Sequence, residues 1–157
     1  VRGRGERIEA GQDFLGVVDY AHTPDSLRAL YNAFPKRRKI CGLGNTGGGR
    51  DVWKRPLMGS IADESCEKVI LTNEDPYDED PRSIVSAMTR DMKRTPEIII
   101  DRRAAIRHAL SIASPGDAVL ISGKGTDPFI MEKGGVKTPW SDERVVREEL
   151  ERLLAEV

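Results

Sequence analysis

The sequence predicts an α/β domain of the three-layer, Rossmann-like kind, spanning residues 1–157 as one unit. Its sheet is expected to be mostly parallel, of about six strands, with one antiparallel edge strand. Three observations carry this. Short apolar runs alternate with helical patterns along the whole chain. That alternation implies parallel strands joined by helices that pack on both faces. The chain's least ordinary residues also cluster just after the strands, where such sheets bind ligands.

The elements follow in order. ERIEA, from residue 6, reads as a short edge strand, and residues 14–20, FLGVVDY, as a buried one. Thr23 is placed to cap the next helix, with Pro24 at its first position. Residues 39–43 form the next strand. Pro56 is expected to open the helix that ends in SIADESC. Residues 68–73, KVILTN, read as a strand running into the acidic turn EDPYDEDP, after which Asp80 and Pro81 start a helix over 81–92. EIIID at 97–101 is a further strand, leading to the helix RRAAIRHALSIA, which Ser114, Pro115 and Gly116 stop. DAVLIS, at 117–122, runs into a long loop, GKGTDPFIMEKGG. Ser141 caps the last helix.

Composition narrows the function. Hydrophobic residues make up 38%, charged residues 32% and the net charge is -1. A near-neutral balance offers nucleic acid no broad attractive field. No apolar run reaches the roughly 20 residues a membrane helix needs. The start, VRGRGERIEAG, lacks the apolar stretch of a signal peptide. It also lacks a methionine, so we expect a piece of a longer protein. Cys41 and Cys66 have no CxxC partner and no histidine cluster, and read as two buried, unbonded residues in a reducing cytoplasm. With only His22 and His108 beside them, no metal site is expected.

Gly42, Gly44 and Gly47 spell G-x-G-x-x-G, the pattern of a dinucleotide loop. That loop works only where a helix opens at its third glycine, with the helix N-terminus facing the pyrophosphate. Here GGRDVWKRP intervenes, so a stand-alone dinucleotide-binding module is the lesser reading. There is no Walker A motif either. SGKGTD has Lys124 after a glycine, but lacks the upstream glycine spacing and the following hydroxyl. Any ATP phosphates must therefore be held by another domain.

The other candidates have plain structural alternatives. Arg50, on the glycine-rich loop, suits a bidentate grip on a carboxylate, or is a solvated basic residue. Asp19 and His22 follow the first long strand and either meet a ligand or hold the turn. Glu74, Asp75, Asp78, Glu79 and Asp80 either receive a cation or form a solvated turn with a helix cap.

Taken together, these strings resemble the C-terminal domain of the Mur ligases. GRGERIEAGQDFLGVVDYAHTPDSL is similar to that domain's opening, and GGGRDVWKRPLMGSIA, ILTNEDPYDEDP and SGKG follow at family-like spacing. The threonine in AHTPD favours the MurE-type branch, which adds the third residue of the peptidoglycan peptide. The folylpolyglutamate and cyanophycin synthetases carry AHNP instead.

The resemblance implies one domain of an ATP-dependent, amide-forming ligase, inactive alone and without a catalytic group of its own. In such enzymes ATP, with Mg²⁺, phosphorylates a carboxylate of the UDP-linked muramoyl dipeptide, and the amine of a diamino acid attacks the acyl phosphate. N-terminal UDP-binding and central ATPase domains would complete the enzyme, a cytoplasmic monomer with no nucleic-acid or membrane partner. By motif position, Arg4 and Asp19 are expected at ATP, with Tyr20 and His22 beside them. Arg50 is expected to grip the amino acid's carboxylate, and Gly123 and Asp127 to meet its ammonium.

Two departures bear on the substrate. Where diaminopimelate-adding enzymes have D-N-P-R, this sequence has Asp75, Pro76 and Tyr77 after Glu74, and a phenol cannot reproduce the arginine's grip. Thr126 and Asp127 stand in place of His-Glu. On charge alone, Glu74 and Asp75 lean towards a distal ammonium, as in lysine.

Overall fold

A computed structural model describes residues 2–156. In chain order the elements are β1 (Glu6–Ile8), β2 (Leu15–Asp19), α1 (Pro24–Asn32), β3 (Lys39–Leu43), α2 (Lys54–Ser65), β4 (Lys68–Leu71) and α3 (Pro81–Met88). There follow β5 (Glu97–Ile98), α4 (Arg102–Ser111), β6 (Ala118–Ser122), β7 (Phe129–Met131), β8 (Lys137–Pro139) and α5 (Asp142–Ala155). The main sheet has six strands in the order β1-β2-β6-β3-β4-β5. β1 is antiparallel to β2 and every other pairing in this sheet is parallel. The expected architecture is therefore observed.

Strand alternation builds the three layers. Val17, Cys41, Leu43, Val69, Leu71 and Leu120 face one way, where they meet Leu27 and Leu30 of α1, Met58 and Ile61 of α2, and Val85 and Met88 of α3. Their neighbours Val18, Ile40, Ile70, Val119 and Ile121 face the other way, onto Ile106 and Leu110 of α4 and Val146 and Leu150 of α5. The period of two that defines a strand thus feeds two cores. Connections that step across the sheet from β2 to β5 run over the first face, and α4, which turns back to β6, lies on the second. Right-handed crossovers require that change of face when the direction reverses.

The helix starts follow their caps. Thr23 Oγ1 accepts from Ser26 N at 3.2 Å while Ser26 Oγ accepts from Thr23 N at 3.0 Å, and Pro24 follows. Asp80 and Ser141 cap α3 and α5 as expected. Three boundaries differ. α2 opens at Lys54, two residues before Pro56, whose missing N–H falls in the first turn, where no intrahelical bond is needed. α3 stops at Met88, well short of residue 92. β5 keeps only Glu97 and Ile98, an exposed edge; Ile99 and Ile100 remain beside β4 through single hydrogen bonds to Leu71 and from Asn73.

Two expectations are corrected. Residues 123–135 are not all loop, since β7 and β8 pair as an antiparallel hairpin, from Phe129↔Pro139 to Met131↔Lys137. Gly134 and Gly135, at φ +72° and +76°, make its turn possible. Cys41 and Cys66 are buried as expected, but they are bonded to each other. α2 carries the chain away from β3 and back, leaving Cys66 at the foot of β4 beside its neighbour strand, so 25 residues of separation become 6.2 Å between Cα atoms. No helix among the described residues is long and apolar enough to cross a membrane.

One ion pair ties the strand tops to the helices. Arg102, the first residue of α4, grips Asp142, the first of α5, through Nε at 2.9 Å and Nη2 at 2.8 Å. It also donates to the carbonyls of Asn73 at 2.9 Å and Ser122 at 3.0 Å, just after β4 and at the end of β6. Both side chains are fully buried, and Trp140 Nε1 completes the shell on Asp142 at 2.7 Å. Burial pushes the guanidinium pKa down, but Asp142 more than offsets this, so Arg102 stays charged. Arg102→Leu would leave a buried carboxylate without its counter-charge, with only the Trp140 indole still donating to it. The expected destabilisation is about 3–5 kcal/mol, read as a lower urea midpoint; an unchanged midpoint would contradict this role.

Candidate functional site

Parallel strands put their carboxyl ends on one side, so the loops after β2, β6, β3 and β4 lie next to one another in that order. They carry Asp19 to His22, Gly123 to Asp127, Gly44 to Arg50, and Glu74 to Tyr77. The residues singled out by sequence therefore sit along one edge of the domain.

At the β2 end, Arg4, Asp19, Tyr20 and His22 line one cavity of about 700 Å³. Asp19 shapes it. Its Oδ2 accepts from Gly5 N at 2.6 Å and its Oδ1 from Ala21 N at 2.7 Å, which fixes the turn and draws the Arg4–Gly5 segment over the strand end. The His22 ring lies 4.6 Å from the Tyr20 ring, and its Nδ1 is 3.0 Å from the Tyr20 carbonyl. Thr23 and Ser26 continue the polar wall. The far end is apolar, formed by Leu30, Ala33 and Phe34 of α1, with the Arg7 guanidinium 6.0 Å from the Phe34 ring centre. The cavity thus grades from a polar end at the β2 loop to an apolar end on α1. Sequence reading missed Arg7 and Phe34, because neither stands in a motif.

At the β3–β4 end, Arg50 and Tyr77 share a second cavity of about 470 Å³ with Asp78 and Glu79. The glycines explain the loop. A Cβ on Gly44 would stand 2.3 Å from the Thr72 carbonyl oxygen, and one on Gly47 2.0 Å from that of Pro76. Gly47 N donates to the Asp75 carbonyl at 2.7 Å. The G-x-G-x-x-G pattern here serves backbone packing between two loops, and the helix after it starts only at Lys54. Tyr77 adopts φ +53°, a left-handed conformation held by its N–H to the Met131 carbonyl at 3.0 Å.

Arg55 and Glu79, the latter from the acidic cluster after β4, lock this loop. Arg55 Nη1 and Nη2 meet the two Glu79 oxygens at 3.0 and 2.9 Å, and Nη2 also reaches the Thr46 carbonyl at 3.0 Å. Gly49 N donates to Glu79 Oε1 at 2.6 Å. Arg55, then the Gly49 amide, hold the Glu79 carboxyl below its ordinary range.

Glu74, Asp75, Gly123 and Asp127 gather between the two cavities, outside the one lined by Arg50 and Tyr77. Glu74 is buried, accepts from Thr46 Oγ1 at 2.7 Å, and fills the space beside Gly123, where a Cβ would be 2.2 Å from its Oε1. Lys124, 1% exposed, donates to Asp75 Oδ1 at 2.8 Å and Asp127 Oδ2 at 3.4 Å. Asp75 Oδ1 also accepts from Met131 N at 2.9 Å. Partial burial, then Asp127 and Glu74, raise the pKa of the nearby Tyr20 phenol.

The fold and this edge of clustered loops define a Rossmann-like domain whose unusual residues gather at its strand tops. Residues 3–125 match the family described as Mur ligase, glutamate ligase domain. The chain is 42% identical over 97% of its length to the UDP-N-acetylmuramoyl-L-alanyl-D-glutamate--2,6-diaminopimelate ligase of Syntrophomonas wolfei, covering 32% of that protein. Among solved structures, another ligase of that name superposes with a TM-score of 0.87 at 34% identity, over 97% of this chain and 32% of the other. A bifunctional folylpolyglutamate synthase/dihydrofolate synthase from Yersinia pestis shares the fold alone, with a TM-score of 0.60, 19% identity and 78% and 28% of the two chains covered. The chain belongs to the Mur ligase family, as its glutamate ligase domain. It spans about a third of the length of the curated relatives it matches.

The Glu79 carboxylate gives a pH test. A depressed carboxyl contributes stability that is fully present above its ordinary pKa and lost as pH falls through the lower folded value. The protection factor of the Gly49 amide, measured by hydrogen exchange, is expected to fall across that acid range in the parent chain. It should be low at every pH in Glu79→Ala, and pH-independent protection in the parent would contradict the ion pair's role.

Proposed function

We propose that the chain is the C-terminal, amino-acid-presenting and ATP-covering domain of an ATP-dependent ligase. That enzyme adds a diamino acid, the third residue, to UDP-N-acetylmuramoyl-L-alanyl-D-glutamate. The observation that carries the reading is the adjacency of two unlike cavities on one edge, one around Arg4, Asp19, Tyr20 and His22, the other around Arg50 and Tyr77.

The first cavity fits a nucleotide. Asp19 faces a ribose, Arg4 a phosphate, and the apolar α1 end a base. When bound, ATP supplies the phosphoryl group that turns the dipeptide carboxylate into an acyl phosphate. Mg²⁺ does not fit this chain's own residues, because no group of three or more metal-ligating side chains stands together among the described residues. We assign it, with most of the contacts to the phosphates, to a central domain, and the UDP moiety to an N-terminal one.

Arg50 holds the incoming amino acid's carboxylate in a bidentate grip. Asp127 receives its ammonium, whose deprotonated form is the nucleophile, while Glu74 occupies the space that Gly123 leaves. Holding that amine in line supplies orientation, and closure of this domain excludes water from the acyl phosphate. A lysine-like substrate is less well supported than the charges suggested, since Glu74 and Asp75 already accept internal hydrogen bonds. The diaminopimelate named for the Syntrophomonas relative favours diaminopimelate here, with Tyr77 beside its distal end. UDP-linked precursors imply that the enzyme works in the cytoplasm, and we take it to act there as a monomer. Burial of both Cys41 and Cys66 shields their bond from thiol attack there.

Arg50→Ala in the full-length protein is expected to raise the amino-acid KM by roughly tenfold to a hundredfold, with the KM for ATP little changed. Steady-state phosphate release with UDP-muramoyl dipeptide measures both, and an unchanged amino-acid KM would remove Arg50 from the site.

A further inference from the structure

We infer that Lys124 is a positioning residue for the amino-acid pocket: its buried ammonium holds Asp127 and Asp75 in the arrangement that receives the incoming amine. The inference rests on the ligase reading above and assigns a role to a side chain that touches no substrate itself.

Lys124 stands at the top of β6, the strand between β2 and β3, and so between the two cavities. An ammonium so deeply buried is costly unless its protons are met by acceptors. Two of its three donors reach Asp75 and Asp127, whose side chains are 13% and 41% exposed. It therefore joins one nearly buried carboxylate to one that opens to solvent. Asp127 keeps its second oxygen for a ligand.

The links extend both ways. Asp75 Oδ1 also takes Met131 N, and the Met131 carbonyl takes Tyr77 N, which reaches the cavity of Arg50. On the other side, Gly123 N donates to the Asp19 carbonyl at 3.1 Å, and Gly125 packs so closely on Tyr20 that a Cβ there would lie 2.8 Å from the Tyr20 Cβ. Without the ammonium, Asp75 and Asp127 repel one another. Asp127, already half in water, is then free to turn away from the pocket. Asp19 is held by the Gly5 and Ala21 amides, which also fix the turn beside Arg4, so the nucleotide cavity should lose little.

The test uses the full-length protein that carries this chain, with diaminopimelate as the amine. Lys124→Met is expected to raise the amino-acid KM about tenfold or more, the scale of a lost charged hydrogen bond, while the KM for ATP stays within about twofold. Adding Asp127→Asn to Lys124→Met should raise it little further, because the two act as one unit. Lys124→Gln keeps a donor without the charge and should give an intermediate rise, which preserves the test if the Met variant does not fold. A wild-type protein that forms no amide overturns the ligase reading beneath the inference. A wild type that ligates, beside folded variants with an unchanged amino-acid KM or with both KM values raised alike, overturns the inference alone. Failure of both single variants to fold would overturn it too, since Lys124 would then serve only the core.

Discussion

The buried pair of Arg102 and Asp142 is the constraint on which the ligand-facing edge depends. A guanidinium and a carboxylate removed from water together are stable only if every donor and acceptor finds a partner. Arg102 meets that demand by gripping Asp142 and capping the carbonyls of Asn73 and Ser122. Those carbonyls sit where the loops after β4 and β6 begin. The same pair fixes the first turns of α4 and α5. The two helices of one face are thereby tied to the starting points of the loops that carry Glu74, Asp75, Tyr77, Gly123 and Asp127.

From these anchors the loops are arranged by close backbone approach and by charge. Gly44 and Gly47 let the β3 loop lie directly on residues 72–76, and the Arg55–Glu79 pair closes it from above. Lys124 does the corresponding work one strand along. Three buried or nearly buried cations, Arg55, Arg102 and Lys124, each bridge a strand-top loop to another element. The edge is rigid for polar reasons, where the rest of the domain is rigid through apolar packing. That suits a surface that must hold charged groups in fixed directions yet stay open to ligands.

The fold was largely legible in the sequence because period-two apolar runs and capped helices are local signals. Thr23, Asp80 and Ser141 mark helix starts through bonds made within three residues. The hairpin of β7 and β8 escaped because its strands are three residues each, although the Gly134–Gly135 pair between FIM and VKTP was the available sign. The short β5 was overread because an apolar run shows what can be buried, and at that edge Ile98 is left exposed. In the site, motif strings led to Asp19, Arg50 and Asp127. Arg55 and Arg102 carried no such mark, since their importance lies in partners 24 and 40 residues away.

The sequence by itself determined the layers, the succession of strands and helices along the chain apart from the β7–β8 hairpin, and which loops would hold the unusual residues, all of which depend on neighbours along the chain. Only the tertiary structure decided that Cys41 meets Cys66, that the glycine loop serves packing, and that Glu74 and Asp75 have internal partners. Each of those outcomes turns on distances between segments that the chain brings together after leaving and returning. No local pattern encodes such distances; they follow from the combined packing of two cores on one twisted sheet.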